Sequence, residues 1–129
     1  MTRAVREPVR QLEDEADGFL PLKPAEFHVL LTLVGGAVHG YAIRQEVEAR
    51  TGGGVRLWPA TLYGTIGRLA DGGLIEEVRP VDAPPDDVHR RFYALTALGR
   101  AVVDAETERL ARLVELARAK QALAGPGPA

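Results

Sequence analysis

Apolar residues along the chain recur at helical spacing in successive blocks, with glycines marking the breaks. From Pro24 to Val34, Phe27, Leu30, Leu31 and Val34 stand at i, i+3, i+4 and i+7, which predicts a helix. Pro24 and Glu26 suit its first turn and Gly35-Gly36 its exit. From Tyr41 to Arg50, Ile43 and Val47 point inward and Arg44, Gln45, Glu46, Glu48 and Arg50 outward. The run Thr51-Gly52-Gly53-Gly54 stops that helix in a tight loop. Val55-Arg56-Leu57 alternates as a very short strand would. The next helix opens at Trp58-Pro59, because a proline N–H missing from a first turn leaves no intrahelical bond unmade. Leu62, Ile66 and Leu69 give it one narrow apolar stripe, and Gly72-Gly73 supply a left-handed exit.

The outward side of that helix carries Ala60, Thr61, Gly64, Thr65, Gly67 and Arg68, which are small or mildly polar apart from one long cation. Each interior glycine gives up roughly 1 kcal/mol of helix stability relative to alanine. A close-packed partner on this face would account for the sacrifice. Both the groove of a DNA duplex and another helix are such partners, and these residues alone do not choose between them.

After it the period changes. Leu74 to Val81 reads as a strand that becomes exposed at Pro80. Asp82 to His89, with Pro84, Pro85, Asp86 and Asp87, reads as a loop, and Arg90 to Thr96 as the return strand of a hairpin. The return strand has Arg91, Tyr93 and Leu95 on one face and Arg90, Phe92 and Ala94 on the other. Residues 97–122 are helical in pattern, with Leu110, Leu113, Val114 and Ala117 forming an apolar stripe. Such a helix spans roughly 37 Å and outruns so small a domain, so a second copy of the chain is the simplest cover for its stripe. Residues 1–22 mix charges with few apolar positions and are expected to be a frayed arm or a short helix. Residues 123–129 are expected to be a disordered tail. The predicted fold class is mainly α with a small β-hairpin: a winged helix-turn-helix over residues 23–96 plus a long C-terminal dimerisation helix.

Composition narrows the chemistry. The 129 residues are 46% hydrophobic and 26% charged, ordinary values for a globular domain, and no apolar run approaches the roughly 20 residues of a membrane span. Neither cysteine nor serine occurs, which removes disulfides, thiolate sites and the commonest hydroxyl nucleophile. A cytoplasmic protein without cofactor is expected. A net charge of −2 argues against indiscriminate binding to polyanions but leaves room for a local basic face. Arginine outnumbers lysine 14 to 2, a bias that a GC-rich genome would also produce.

His28, His39 and His89 lie in separate elements without metal-ligand spacing, so no metal site is expected. His39 is instead expected to fix a helix start through a ring hydrogen bond. Asp86-Asp87 and Glu76-Glu77 do not converge as acid–base pairs, and no enzyme is expected. Trp58 is expected to pack beside the helix it precedes.

Three motifs bring a family into view. Leu31-Thr32-Leu33 is followed by His39-Gly40-Tyr41-Ala42-Ile43. Pro59-Ala60-Thr61-Leu62-Tyr63 continues through Arg68-Leu69 to Gly73-Leu74-Ile75. Arg90-Arg91-Phe92-Tyr93-Ala94-Leu95-Thr96 leads to Gly99. In this order and spacing they resemble the PadR family of bacterial transcriptional regulators, in its subfamily with a single terminal helix. The resemblance implies a dimeric repressor that binds double-stranded DNA with the Pro59 helix in the major groove and the hairpin as a flanking wing. Thr61, Tyr63 and Arg68 would face bases or phosphates, with Gly64 on the same face by its helical position. Arg90 and Arg91 would stand at the wing base. The Asp86-Asp87 tip departs from the basic tips of many relatives, which would leave Arg79, Arg90 and Arg91 for backbone contact. Drug-binding relatives stack planar ligands on aromatics in the terminal helix. Residues 97–122 have none, so any effector is unknown. The acidic balance and tip also suit an alternative, a winged-helix module that grips another protein.

Overall fold

A computed structural model describes residues 3–81 and 90–125 of the chain. Its elements are α1 (Arg3–Asp17), α2 (Pro24–Thr32), β1 (Val38–His39), α3 (Gly40–Arg50), α4 (Pro59–Asp71), β2 (Ile75–Val78), β3 (Phe92–Leu95) and α5 (Ala97–Ala124). The wing tip, with Pro84, Pro85, Asp86, Asp87 and His89, lies outside the described residues, as do residues 126–129.

The N-terminal stretch is a helix and not a frayed arm. Alone, α1 has too thin an apolar face to persist in water, but it packs along α5, where Ala16 is fully buried and Leu12 partly so. Glu106 of α5 ties down the link to α2. Its buried carboxylate accepts the Leu22 N–H at 2.7 Å and pairs with the Arg109 guanidinium. The arginine, with help from the Leu22 N–H, holds the carboxyl below its ordinary pKa against the opposing pull of burial. Nothing in the local pattern of α5 sets Glu106 apart from its other polar positions.

α2 opens with the Lys23 N–H donating to the Glu26 carboxylate at 2.9 Å. It ends at Thr32 and tightens into a 3-10 turn over Leu33–Gly35, leaving Val34 exposed. Arg50, outward by its pattern, reaches back from α3 to donate to the His28 carbonyl (3.1 Å) and the Thr32 hydroxyl (2.8 Å), setting α3 against α2.

Val55-Arg56-Leu57 is not a strand. The Val55 N–H donates to the Thr51 hydroxyl at 3.1 Å, and that hydroxyl donates to the Val47 carbonyl at 2.8 Å, so the glycine run is stapled into a fixed turn before α4. The third strand is Val38–His39 instead. The sheet has the order β1-β3-β2, antiparallel throughout, with Val38 opposite Tyr93 and Glu77 opposite Tyr93 on the other side.

α4 buries Leu62, Thr65, Ile66 and Leu69. Thr65 therefore faces inward and not outward: it completes the i, i+3, i+4, i+7 set begun at Leu62. The helix closes with the Gly73 N–H bonded to the Ala70 carbonyl and the Leu74 N–H to the Leu69 carbonyl, with Gly73 at φ +79°. Thr96 then joins hairpin to α5: its hydroxyl accepts the Gly99 N–H (3.0 Å) and donates to the Gly73 carbonyl (2.5 Å). Gly99 is required there, because a Cβ would stand 1.9 Å from the Leu74 carbonyl oxygen. The core runs through Leu30, Ile43, Val47, Leu57, Leu74 and Val102, and it leaves one side of α4 and the distal half of α5 exposed.

Candidate nucleic-acid interface

The buried stripe of α4 fixes which residues face out. Thr61, Gly64 and Arg68 share its exposed side. Arg68 lies back along the helix: its Nη2 donates to the Thr65 hydroxyl at 3.3 Å, and its Nη1 is 3.6 Å from where a Gly64 Cβ would be. The guanidinium thus lies alongside Gly64.

Tyr63 is 56% exposed, yet its ring edge and hydroxyl rest on Gly40, 3.5 Å from the position of a Cβ. Gly40 is the first residue of α3, and the histidine before it caps that helix: His39 Nδ1 accepts the Ala42 N–H at 3.2 Å. The same imidazole meets the Phe92 ring edge-on, with centroids 5.5 Å apart. His39-Gly40-Tyr41 therefore does three things at one corner: it starts α3, attaches the wing, and supports the Tyr63 ring.

Between α4, the start of α3 and the wing base is a cleft of about 350 Å³, lined by Gly40, Tyr41, Tyr63, Arg90, Arg91 and Tyr93 beside His39. Arg90 and Arg91 are exposed. Arg91 Nε stands 3.9 Å from the Glu77 carboxylate. The Tyr93 hydroxyl is pushed above its ordinary pKa, by burial first and by Glu77 second, against the opposing pull of Arg91, so it keeps its proton. Arg79, just past β2, is exposed but does not line the cleft. Of the sequence-derived candidates, Tyr63, Arg90 and Arg91 come together in this cleft, while Thr61, Gly64 and Arg68 share the exposed side of α4. Glu77 and Tyr93 are not among the sequence-derived site candidates, because only strand register sets them opposite each other.

Trp58 is not packed away. It is 58% exposed, and the Arg44 guanidinium lies 5.7 Å from its ring centroid while also pairing with Glu48 at 3.3 Å. Leu57 takes the core position instead.

The stripe on α5 is partly covered. Leu110 is partly buried, Leu113 and Val114 are about half exposed, and Ala117 is exposed. A groove of about 870 Å³ runs between α1 and α5, with Val9, Leu12, Leu20, Leu113 and Leu116 among its walls. Burial, and then Arg50, lower the pKa of His28, and its Nδ1 is buried without a hydrogen-bond partner. Among the described residues no group of three or more His, Asp or Glu could hold a metal ion, and no helix is long and apolar enough to cross a membrane.

The model of the transcriptional regulator PadR-like family matches residues 29–105 of this chain. A transcriptional regulator of Mycobacterium tuberculosis is 41% identical over 92 residues, covering 70% of this chain and 77% of that protein. An uncharacterized 37.1 kDa protein in a transposon of Streptomyces fradiae is 37% identical over 89 residues, 69% of this chain but only 24% of that protein's length. Among solved structures, Bacillus subtilis PadR in complex with operator DNA superposes with a TM-score of 0.52 at 19% identity, covering 66% of this chain and 47% of that one, a likeness of fold.

Proposed function

Because this chain belongs to the PadR-like family of transcriptional regulators, we propose that it is a repressor that binds a palindromic DNA operator as a homodimer. The observation that carries the reading is the exposed side of α4, where Thr61, Gly64 and Arg68 stand clear of the core next to the arginine-lined cleft. Small residues let a helix approach base edges closely, while Arg68, Arg79, Arg90 and Arg91 supply phosphate contacts that a net charge of −2 does not forbid. The Bacillus subtilis structure, with operator DNA bound to the same fold, supports this use of the surface.

Leu110, Leu113, Val114 and Ala117 form the dimer contact in this reading, together with Leu116, which is 55% exposed. Two copies packed along α5 would cover apolar area that one copy leaves in water.

The direct test is fluorescence anisotropy with DNA from the region upstream of the chain's own gene. Specific binding at ~100 mM salt, falling steeply with added salt and lost in Arg68→Ala, is the expected result. Absence of any specific site in that DNA and in a random-sequence pool sinks the proposal. For the assembly, Leu113→Glu with Val114→Glu should sediment as a folded monomer. An unchanged dimer would place the interface elsewhere.

A further inference from the structure

We propose that the cleft between Tyr63 and the wing base seats one backbone phosphate of the DNA, and that Glu77 occupies Arg91 until that phosphate arrives. This inference deepens the DNA-binding reading and rests on it. Among the described residues, the cleft's lining holds two guanidinium groups, phenol hydroxyls and a histidine, and no carboxylate. That is the chemistry of an oxyanion seat. It lies beside the exposed side of α4, so with that helix in the major groove the bordering phosphate backbone would pass next to the cleft.

Each wall residue has a defined job. Gly40 lies under the edge and hydroxyl of the Tyr63 ring, which lines the cleft. Tyr93 is buried and stays protonated, so its hydroxyl remains available as a donor at the floor. Arg91 lines the cleft with Tyr93 and pairs with Glu77 across 3.9 Å. That pair is long and both side chains are more than half exposed, so it is weak and exchangeable. A diester oxygen can take the place of the Glu77 carboxylate without rearranging the strands. Glu77 is therefore a positioning residue: it keeps Arg91 extended over the cleft, and it lowers affinity both by competing for the guanidinium and by its own charge near phosphate.

The test uses the full chain and a DNA site enriched by it from a random-sequence pool, with affinity followed over a salt series. Glu77→Gln should bind about threefold to tenfold tighter than wild type. Arg91→Gln should bind more weakly, with the salt slope shallower by about 0.9 for each protomer, one phosphate's worth of counterions. Tyr63→Phe should weaken binding about tenfold with the slope unchanged, since a neutral hydroxyl releases no ion. In the Arg91→Gln background, Glu77→Gln should lose most of its effect. Arg91→Lys, which keeps the charge, covers the case in which Arg91→Gln fails to melt like wild type.

The inference is overturned if Glu77→Gln does not tighten binding, or tightens it equally without Arg91, because Glu77 then acts only through overall charge. In either case specific DNA binding by wild type would still stand. If no site is enriched at all, the DNA reading and this inference fall together.

Discussion

Glu106 offers the sharpest test of how α5 holds the N-terminal half of the molecule. Its side chain is almost wholly buried, receives the Leu22 N–H and pairs with Arg109. Glu106→Gln keeps an oxygen for Leu22 but turns an NH2 toward the guanidinium, donor against donor. A hydrogen bond to a charged group contributes about 1.5–3 kcal/mol and a neutral one about 1, so the variant should lose about 1–2 kcal/mol near neutral pH. For a domain of this size that is about 3–8 °C in Tm. The folded carboxyl titrates below its unfolded value of about 4.3, so its contribution is complete above that pH and is lost as pH falls through the lower folded value. Thermal melts of both proteins from pH 7 to pH 3, at one fixed protein concentration to hold dimerisation constant, should show the gap closing in the acid range. Equal stability at pH 7, or a gap that stays the same down to pH 3, would refute this account of the buried pair.

Other expectations follow from the glycines and the aromatic surface. Gly99→Ala forces a Cβ to 1.9 Å from the Leu74 carbonyl oxygen, so α5 must shift from the hairpin, and urea unfolding should show a loss of about 2–3 kcal/mol. Gly67→Ala meets nothing within 4 Å and should stabilise α4 by about 1 kcal/mol in the same assay. Gly64→Ala should raise stability similarly, since its Cβ would only touch Arg68, but should weaken DNA binding in anisotropy titrations by adding a methyl to the face proposed to approach the bases. Trp58 is the single tryptophan and half exposed, so its emission should change on DNA addition, and Arg44→Ala should alter the free protein's spectrum.

What the sequence determined by itself was the architecture and the family. Apolar spacing marked four of the helices, because an amphipathic helix must place its buried residues on one face whatever it packs against. The glycine and proline punctuation marked the turns, because φ and a missing N–H are local constraints. The exposure of Thr61, Gly64 and Arg68 was legible for the same reason, while Thr65 was misread by taking too narrow a stripe.

The rest depended on partners far away in the chain. α1 is a helix because α5 lies beside it, and Glu106 is buried because Leu22, 84 residues away, joins the neighbouring Arg109 in satisfying it, a match that no local pattern records. The third strand came from Val38–His39 because β3 offered it an edge, whereas Val55 had already given its N–H to Thr51. The cleft that brings Tyr63 and Arg91 together, and the pairing of Arg91 with Glu77, exist only once strand register and helix packing are set. Periodicity tells which way a side chain points; only tertiary contact decides what it meets there.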